Sequence, residues 1–333
     1  MGAVTPVTII AEAAQGFEGE PRLASLLVRA AAAAGADVVK FQLVYADELA
    51  TRDYAHYELF KQLEMSNAAW ADTARDANAA GLGIAFDVFG SDSLALAVEL
   101  GAAFVKIHAS DFFNEALVEQ ALVAAPRVLF SAGGIAADEI AGFLDRAGAH
   151  SPKLTLMYGF QAEPTPIEAN HLARLGTLRR RFPDVSIGFM DHAEGSADEA
   201  GWVALLALPY GVRVVEKHLT LARSVRLEDY VSALEPREFA TFVARLRLAE
   251  RALGMSDLTP TPMEQSYRQR AVKVVVARVA LPPGHRVGAS DIALLRAKVG
   301  PDQLTLELPS AAIGRTVKRS IEAGQPLGRE DLA

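Results

Sequence analysis

At three places in this 333-residue chain an apolar run ends in polar or ionisable residues two apart: Lys40 and Gln42 in VVKFQ, Lys106 and His108 in FVKIH, Glu216 and His218 in VVEKH. In extended backbone, positions i and i+2 project from one face, so each pair presents two functional groups to the same side. Glu12 closes a similar run, IIAE, and Asp191 and His192 close IGFMDH. An ammonium is a compact point charge suited to phosphate or carboxylate oxygens, so Lys40 and Lys106 point to an anionic small molecule. Two imidazoles, His192 and His218, with carboxylate and water oxygens suit Mn²⁺, Mg²⁺ or Zn²⁺ and leave coordination positions open for a substrate. SAGG, Ser131 to Gly134, offers a hydroxyl and glycine-freed backbone N–H groups to a phosphate.

These residues act together only if their strands converge. Eight short β-branched or apolar runs recur over the first two thirds of the chain: 7–14, 37–43, 83–89, 103–109, 127–133, 153–159, 186–192 and 213–219. Stretches of helical character separate them, with apolar residues at helical spacing, as at Leu172, Leu175 and Leu178. Turns such as AGA and AGLG supply the glycine that ends a helix before the next strand. Alternation of this kind marks βα units with a parallel sheet, and eight in roughly 250 residues is the size of a (β/α)₈ TIM barrel, an α/β fold. Barrel enzymes place their chemistry at the C-terminal ends of the strands, which is where the polar pairs stand. In RVVEKHL the alternation puts Glu216 and His218 on one side, with Glu216 able to orient a ligand or bound water, and turns Lys217 toward the helix layer or the rim.

Composition narrows the class of function. The chain has no cysteine, which excludes disulfides and thiolate metal sites and leaves histidine and carboxylate sites open. Its net charge of -8 argues against a general nucleic-acid binder. Apolar runs are short, Ala-rich and interrupted by charge, so none reads as a membrane span. The N-terminus lacks the basic and long apolar regions of a secretory signal, and the Met-Gly start is only a weak myristoylation context, so a cytoplasmic location is expected. The polar, Pro-containing stretch 251–271 reads as a linker between a barrel over 1–250 and a small, mainly β domain over 272–333. Within that domain PPGHRVGASDI and EAGQPLGREDL look like two versions of one unit. About 60 residues make a marginal core, so the domain is expected to lean on a partner surface.

Taken in order, IIAE…EG, VVKFQ, VKI, SAGG, PTP at 164–166, IGFMDH and VEKHLTL resemble the sialic acid synthase family: N-acetylneuraminate, legionaminic acid and pseudaminic acid synthases. The resemblance covers nearly the whole chain, because those enzymes join a (β/α)₈ barrel to a C-terminal antifreeze-like (SAF) domain. It implies a transferase that condenses phosphoenolpyruvate with a 2-acetamido sugar aldehyde, forming a 2-keto-3-deoxy nonulosonic-type acid and phosphate with a divalent metal, Mn²⁺ before Mg²⁺ or Zn²⁺. By that resemblance His192 and His218 hold the metal, and Lys40, Lys106, Ser131 and Gln161 hold phosphoenolpyruvate. Glu12 and Asp111 fall at catalytic positions, Asp111 managing protons on the attacking water or intermediate. Gln42, Asp229 and Glu12 face the sugar. Arg296 matches an arginine that reaches the sugar in a homodimer whose C-terminal domain covers the partner's barrel mouth.

The chain also departs from that pattern. GFEG at 16–19 replaces an Asn-His-x-Gly turn, DVF at 87–89 replaces Thr-Pro-Phe, Ala109 replaces a serine, Glu163 an aromatic residue, and Asp111 a glutamate. An ionised Asp87 would oppose the carboxylate of phosphoenolpyruvate, since two like charges about 4 Å apart cost about 4 kcal/mol at an intermediate dielectric. Asp87 is therefore protonated, paired with Lys106 or Lys40, or set against a different co-substrate. Two other functions are weighed beside the synthase: a metal-dependent aldolase or lyase on the same barrel that does not use phosphoenolpyruvate, and a non-catalytic sugar-binding or assembly protein.

Overall fold

A computed structural model describes residues 6–254, 256–299 and 304–333; the Met-Gly start lies outside them. The chain divides into two compact units, 1–255 and 256–333. In the first, the strands β1 (Thr8–Ala14), β2 (Val38–Gln42), β3 (Gly83–Val88), β4 (Phe104–Ile107), β5 (Val128–Ser131), β6 (Leu154–Tyr158), β7 (Ser186–Asp191) and β8 (Val214–His218) pair in sequence order. All pairings are parallel, and β1 meets β8 to close the barrel. The expected (β/α)₈ barrel is thus present.

Helices begin and end where backbone chemistry favours it. In α1 (Pro21–Ala34) proline sits at the first turn, and Ala24, Leu27, Val28, Ala31 and Ala34 bury one face. Gly35 then takes a left-handed conformation, φ 79°, and its N–H bonds back to the last turn. The long connection after β2 carries α2 (Ala46–Leu49) and α3 (Tyr57–Leu63) before α4 (Asn67–Ala79), whose Ser66 cap accepts from the Ala69 N–H at 3.2 Å. Farther along come α5 (Ser91–Glu99), α6 (Glu115–Ala124), α7 (Ala137–Ala147), α8 (Ala173–Arg181) and α9 (Pro236–Leu253). Among the described residues no helix is long and apolar enough to cross a membrane.

The barrel interior is layered, which decides where chemistry is possible. One residue from each strand builds a buried apolar plug: Ile10, Val38, Ala85, Phe104, Leu129, Met157, Met190 and Val214. The Arg127 guanidinium lies 4.5 Å from the Phe104 ring centre. Two residues further along seven of these strands the same face carries Glu12, Lys40, Asp87, Lys106, Ser131, His192 and Glu216, all buried. On β6 that position is Gly159, where φ is 136° and a Cβ would stand 2.1 Å from the Met190 carbonyl, so no side chain fits.

In the second unit, α10 (Pro262–Ala271) occupies the C-terminal half of the stretch 251–271 read as a linker. Proline at the first turn and a Thr261–Glu264 capping box specify a helix despite the polar, loop-like composition. Strands β9 (Val274–Ala277) and β10 (Ile292–Leu295) pair antiparallel, and Val275, Leu281, Val287, Val317, Ile321 and Leu327 contribute to a small core. The two sequence units repeat structurally. Gly284 and Gly324 turn with φ of 85° and 83°, and the Asp291 and Asp331 carboxylates accept from the Gly288 and Gly328 N–H groups at 2.8 and 2.7 Å.

Candidate active site

The polar layer forms the floor of a mouth of about 230 Å³, lined by Glu12, Gln42, Asp87, Lys106, His108, Ser131, Phe160, Glu163, Met190, His192, Glu216, His218 and Asp229. The floor is a compact ion cluster. Lys40 contacts Glu12 and Asp87 and lies 3.8 Å from Glu216. Lys106 donates to Glu216 at 2.6 Å and stands 3.8 Å from Asp87. Two lysines face three carboxylates, and the surplus negative charge is resolved by unequal proton affinities. Burial pushes Glu12 up to about 8 against the pull of Lys40, so Glu12 carries a proton at neutral pH. Burial also acts upward on Glu216, but Lys106 and Lys40 outweigh it and hold that carboxyl down to about 2. Lys40 itself would be lowered by burial; Asp87 and Glu12 more than compensate and keep it charged. Of the readings open for Asp87, the structure has it paired with Lys40.

At the edge of this floor His192, from the polar layer itself, faces His218, one step further along β8, ring centres 5.0 Å apart. One ligand atom from each of Glu163, His192 and His218 lies within 4.8 Å of the others, a spacing that a single divalent ion can bridge. Burial, followed by mutual repulsion for His192 and by Lys40 for His218, holds both imidazoles far below their ordinary pKa, in the neutral form a metal requires. Among the described residues His192 Nδ1 is buried without a hydrogen-bond partner, leaving that ring nitrogen free for a ligand. These residues therefore fit a divalent ion. Glu163, read from sequence only as a departure, is the third donor. Asp229 sits beside them, its Oδ2 3.9 Å from His218 Nδ1, pushed to about 7 by burial and by Glu163 and Glu228.

The backbone around the histidines is clamped from outside the barrel. Lys217 and Asp191, both wholly buried, pair at 3.0 Å. Asp191 accepts from the Ala193 N–H at 2.9 Å while Lys217 donates to the Ala193 carbonyl at 2.9 Å. The His192 carbonyl accepts from Thr165 N at 2.8 Å and Ser232 Oγ at 3.2 Å, and the His218 carbonyl from Leu234 N at 2.9 Å. Lys217 thus faces away from the mouth, as alternation requires.

Not every residue singled out in the sequence reaches this mouth. Gln42 does, and accepts from Gln15 Nε2 at 2.7 Å. Gln161 instead lines a neighbouring cavity with Tyr158 and Arg174. Ala109 and Asp111 form a short turn after β4, where the Asp111 carboxylate accepts from Ser110 Oγ at 2.9 Å and Asn114 Nδ2 at 3.1 Å. Arg296 belongs to the second unit, exposed, with Nε donating to the Ala271 carbonyl at 3.2 Å. Phe160, which packs edge-on against His192 at 4.9 Å, is a site residue that strand alternation does not reveal; its place one residue past the glycine ending β6 is the available signal.

A parallel barrel with a lysine–carboxylate floor and a histidine pair at its mouth, followed by a small β domain, defines a class that comparison then specifies. The NeuB family model matches residues 27–257 and the SAF domain model residues 272–333; the chain belongs to the NeuB family. Among its relatives is the N-acetylneuraminate-9-phosphate synthase of Homo sapiens, 28% identical over 85% of this chain and 81% of that protein. The N,N'-diacetyllegionaminic acid synthase of Legionella pneumophila is 27% identical over 96% of this chain and 92% of its own length. The crystal structure of an N-acetylneuraminic acid (sialic acid) synthetase from Leptospira borgpetersenii, in complex with citrate, superimposes with a TM-score of 0.74 at 26% identity, covering 81% of this chain and 96% of that one.

Proposed function

We propose that this protein condenses phosphoenolpyruvate with an amino-sugar aldehyde, releasing phosphate and forming a 2-keto-3-deoxy acid, with a divalent metal, Mn²⁺ in the first instance. The observation that carries the reading is the layered mouth: two buried lysines on the floor with the His192, His218 and Glu163 donors grouped beside them. Lys40 and Lys106 bind the anionic co-substrate by giving up part of their pairing with Asp87 and Glu216, and Ser131 adds a hydroxyl. When bound, the ion supplies a Lewis acid that polarises the aldehyde. Glu12, poised near neutrality, holds or releases a proton at its carboxyl beside Lys40. The enol carbon joins the aldehyde carbon, water adds at the phosphate-bearing carbon, and phosphate departs. Asp111, in its turn beyond β4, and Gln161, in the adjoining cavity, touch substrate only after the loops rearrange. Arg296 reaches an aldehyde from the partner subunit in a homodimer.

Asp87 favours one second reading. A carboxylate already on Lys40 competes with any substrate anion, which suits a metal-dependent aldolase or lyase acting without phosphoenolpyruvate. Phosphate release from phosphoenolpyruvate, measured with and without Mn²⁺ across a panel of 2-acetamido aldehydes, separates the two. Mn²⁺-dependent release with at least one aldehyde supports the synthase; none with any aldehyde, in a protein that retains metal, supports the lyase.

A further inference from the structure

The turn after β4 holds a hydrogen-bonded chain that ends in the mouth. His108 Nδ1 stands 3.1 Å from Ser110 Oγ, which donates to the Asp111 carboxylate at 2.9 Å, and Asn114 Nδ2 donates to the other Asp111 oxygen at 3.1 Å. A hydroxyl has one proton. With that proton committed to Asp111, the Ser110 oxygen can only accept from Nδ1, which puts the ring proton on Nδ1 and leaves a lone pair on Nε2. The Ser110 N–H, 3.3 Å from the same Nδ1, would hold the opposite tautomer as an ordinary cap of the turn Ala109–Asp111. The shorter contact and the carboxylate behind it favour Nδ1–H. Among the described residues Nε2 has no protein partner.

The ring is placed where a base is useful. His108 follows Lys106 by two residues in extended backbone, so it shares that lysine's face one step nearer the opening. A second cavity, of about 580 Å³, meets the mouth at Gln42 and His108, and the apolar plug closes the barrel below, so water reaches the lysines past this ring. In the closed strand order β4 lies opposite β8, which puts His108 across the mouth from His218. The other ionisable groups of the mouth are already engaged. Lys40 is held charged, and Glu12 carries a proton at neutral pH. Glu216, held down to about 2, is a weak base, and Asp87 is bound to Lys40. His192, His218 and Glu163 are the donors for an ion, with Asp229 beside them. Burial, with Lys106 and Lys40, lowers His108 against the upward pull of Asp87 and Asp111, so the imidazole is neutral at pH 7 and open to a proton.

We propose that His108 is the base that takes a proton from the water adding to the phosphate-bearing carbon, with Ser110 and Asp111 as positioning residues that keep its Nε2 lone pair turned to the mouth. The proposal rests on the condensation reading. Once the enol carbon has bonded to the aldehyde carbon, the water oxygen bonds to the electron-poor phosphate-bearing carbon while one of its O–H bonds breaks and the proton moves to Nε2. The imidazolium is stabilised through Nδ1–H, which donates to Ser110 Oγ while the Ser110 proton stays on its bond to Asp111. When the carbon–oxygen bond to phosphate breaks, Nε2 returns its proton to the departing phosphate. The added hydroxyl becomes the ketone, and its proton passes to the alkoxide left from the aldehyde oxygen, so His108 ends neutral.

Phosphate release from phosphoenolpyruvate with Mn²⁺ and a panel of 2-acetamido aldehydes is compared in wild type, His108→Ala and Ser110→Ala. In parallel, ¹⁵N NMR of histidine-labelled protein without substrate reads the His108 tautomer, assigned by the signal that His108→Ala lacks. His108→Ala should lose about 100-fold or more in kcat, and added imidazole should restore about tenfold of it. Its KM for phosphoenolpyruvate should stay within about threefold of wild type, because the lysines that hold the anion are untouched. Ser110→Ala leaves only the backbone N–H facing Nδ1, so it should move the ring proton to Nε2 and lower kcat about tenfold. Wild-type turnover in His108→Ala, a loss that imidazole does not restore, or a wild-type ring protonated at Nε2 overturns the proposal. If wild type releases no phosphate with any aldehyde, the condensation reading fails and the water step falls with it; an Nδ1–H signal that Ser110→Ala shifts then upholds the held base alone.

Discussion

Replacing Asp87 by threonine removes one of the three carboxylates that hold the floor lysines. In the structure Asp87 contacts Lys40 and lies 3.8 Å from Lys106, so an anion bound to both ammonium groups must approach the Asp87 carboxylate closely. At about 4 Å and an effective dielectric near 20, two like unit charges cost about 4 kcal/mol, a factor of roughly 1,000 in affinity. Lys40 keeps Glu12 and Glu216 as partners, and their tightening onto it absorbs part of the gain. Asp87→Thr should therefore bind phosphoenolpyruvate about 10- to 1,000-fold more tightly. Calorimetric titration of phosphoenolpyruvate into metal-loaded protein measures this directly, and the KM for phosphoenolpyruvate in the phosphate-release assay gives a second value. Asp87→Asn, which keeps the shape and removes the charge, should move in the same direction. Unchanged or weaker binding in both variants, with unfolding transitions like that of wild type, would refute the idea that Asp87 competes for the lysines. An outright loss of turnover with unaltered binding would instead give Asp87 a part in the chemistry.

Three further outcomes are expected. His192→Ala should lose stoichiometric Mn²⁺ after dialysis, read by elemental analysis, while its unfolding temperature without metal stays close to that of wild type. Lys217→Met leaves Asp191 buried and unpaired, which should cost about 3–5 kcal/mol in denaturant unfolding, and Asp191→Leu in addition should recover much of it. Glu12 is raised in the folded state to about 8 from an ordinary 4.5, so folding takes up its proton and that contribution to stability is lost as pH rises between those values. Scanning calorimetry from pH 5 to pH 8 should show wild type losing stability relative to Glu12→Gln; parallel curves would show that Glu12 titrates normally.

How much of the fold and site is legible in the sequence depends on backbone regularity. Alternation in a strand has a strict period of two, so the sequence alone assigns Lys40, Lys106 and Glu216 to one inner face and Lys217 to the other. His192 and His218 follow from the same rule, two residues past the plug residue Met190 and past Glu216 respectively. Glu163, Gln161 and Asp111 lie in turns, where no period fixes direction, so alternation says nothing of where each points. Glu163 joins the histidines, Gln161 faces a separate cavity, and Asp111 bonds within its own turn. The pairing of Asp87 with Lys40 depends on neighbouring strands in register, Lys40 beside Ala85 and Gln42 beside Asp87, a relation between segments some 45 residues apart. The helix inside the expected linker is written in Thr261, Pro262 and Glu264, a capping signal that the polar composition around it masks.

The apolar plug beneath the lysines has a kinetic consequence. With Ile10, Phe104, Leu129 and their neighbours sealing the lower end, the barrel is a well open on one side. Anything that settles on Lys40 and Lys106 must arrive and leave through the level of Gln42, His108 and His218. A molecule occupying that upper level shuts the passage for whatever lies below it. Under the proposed condensation, depth alone would order the traffic, the small anion entering first and the larger aldehyde closing over it.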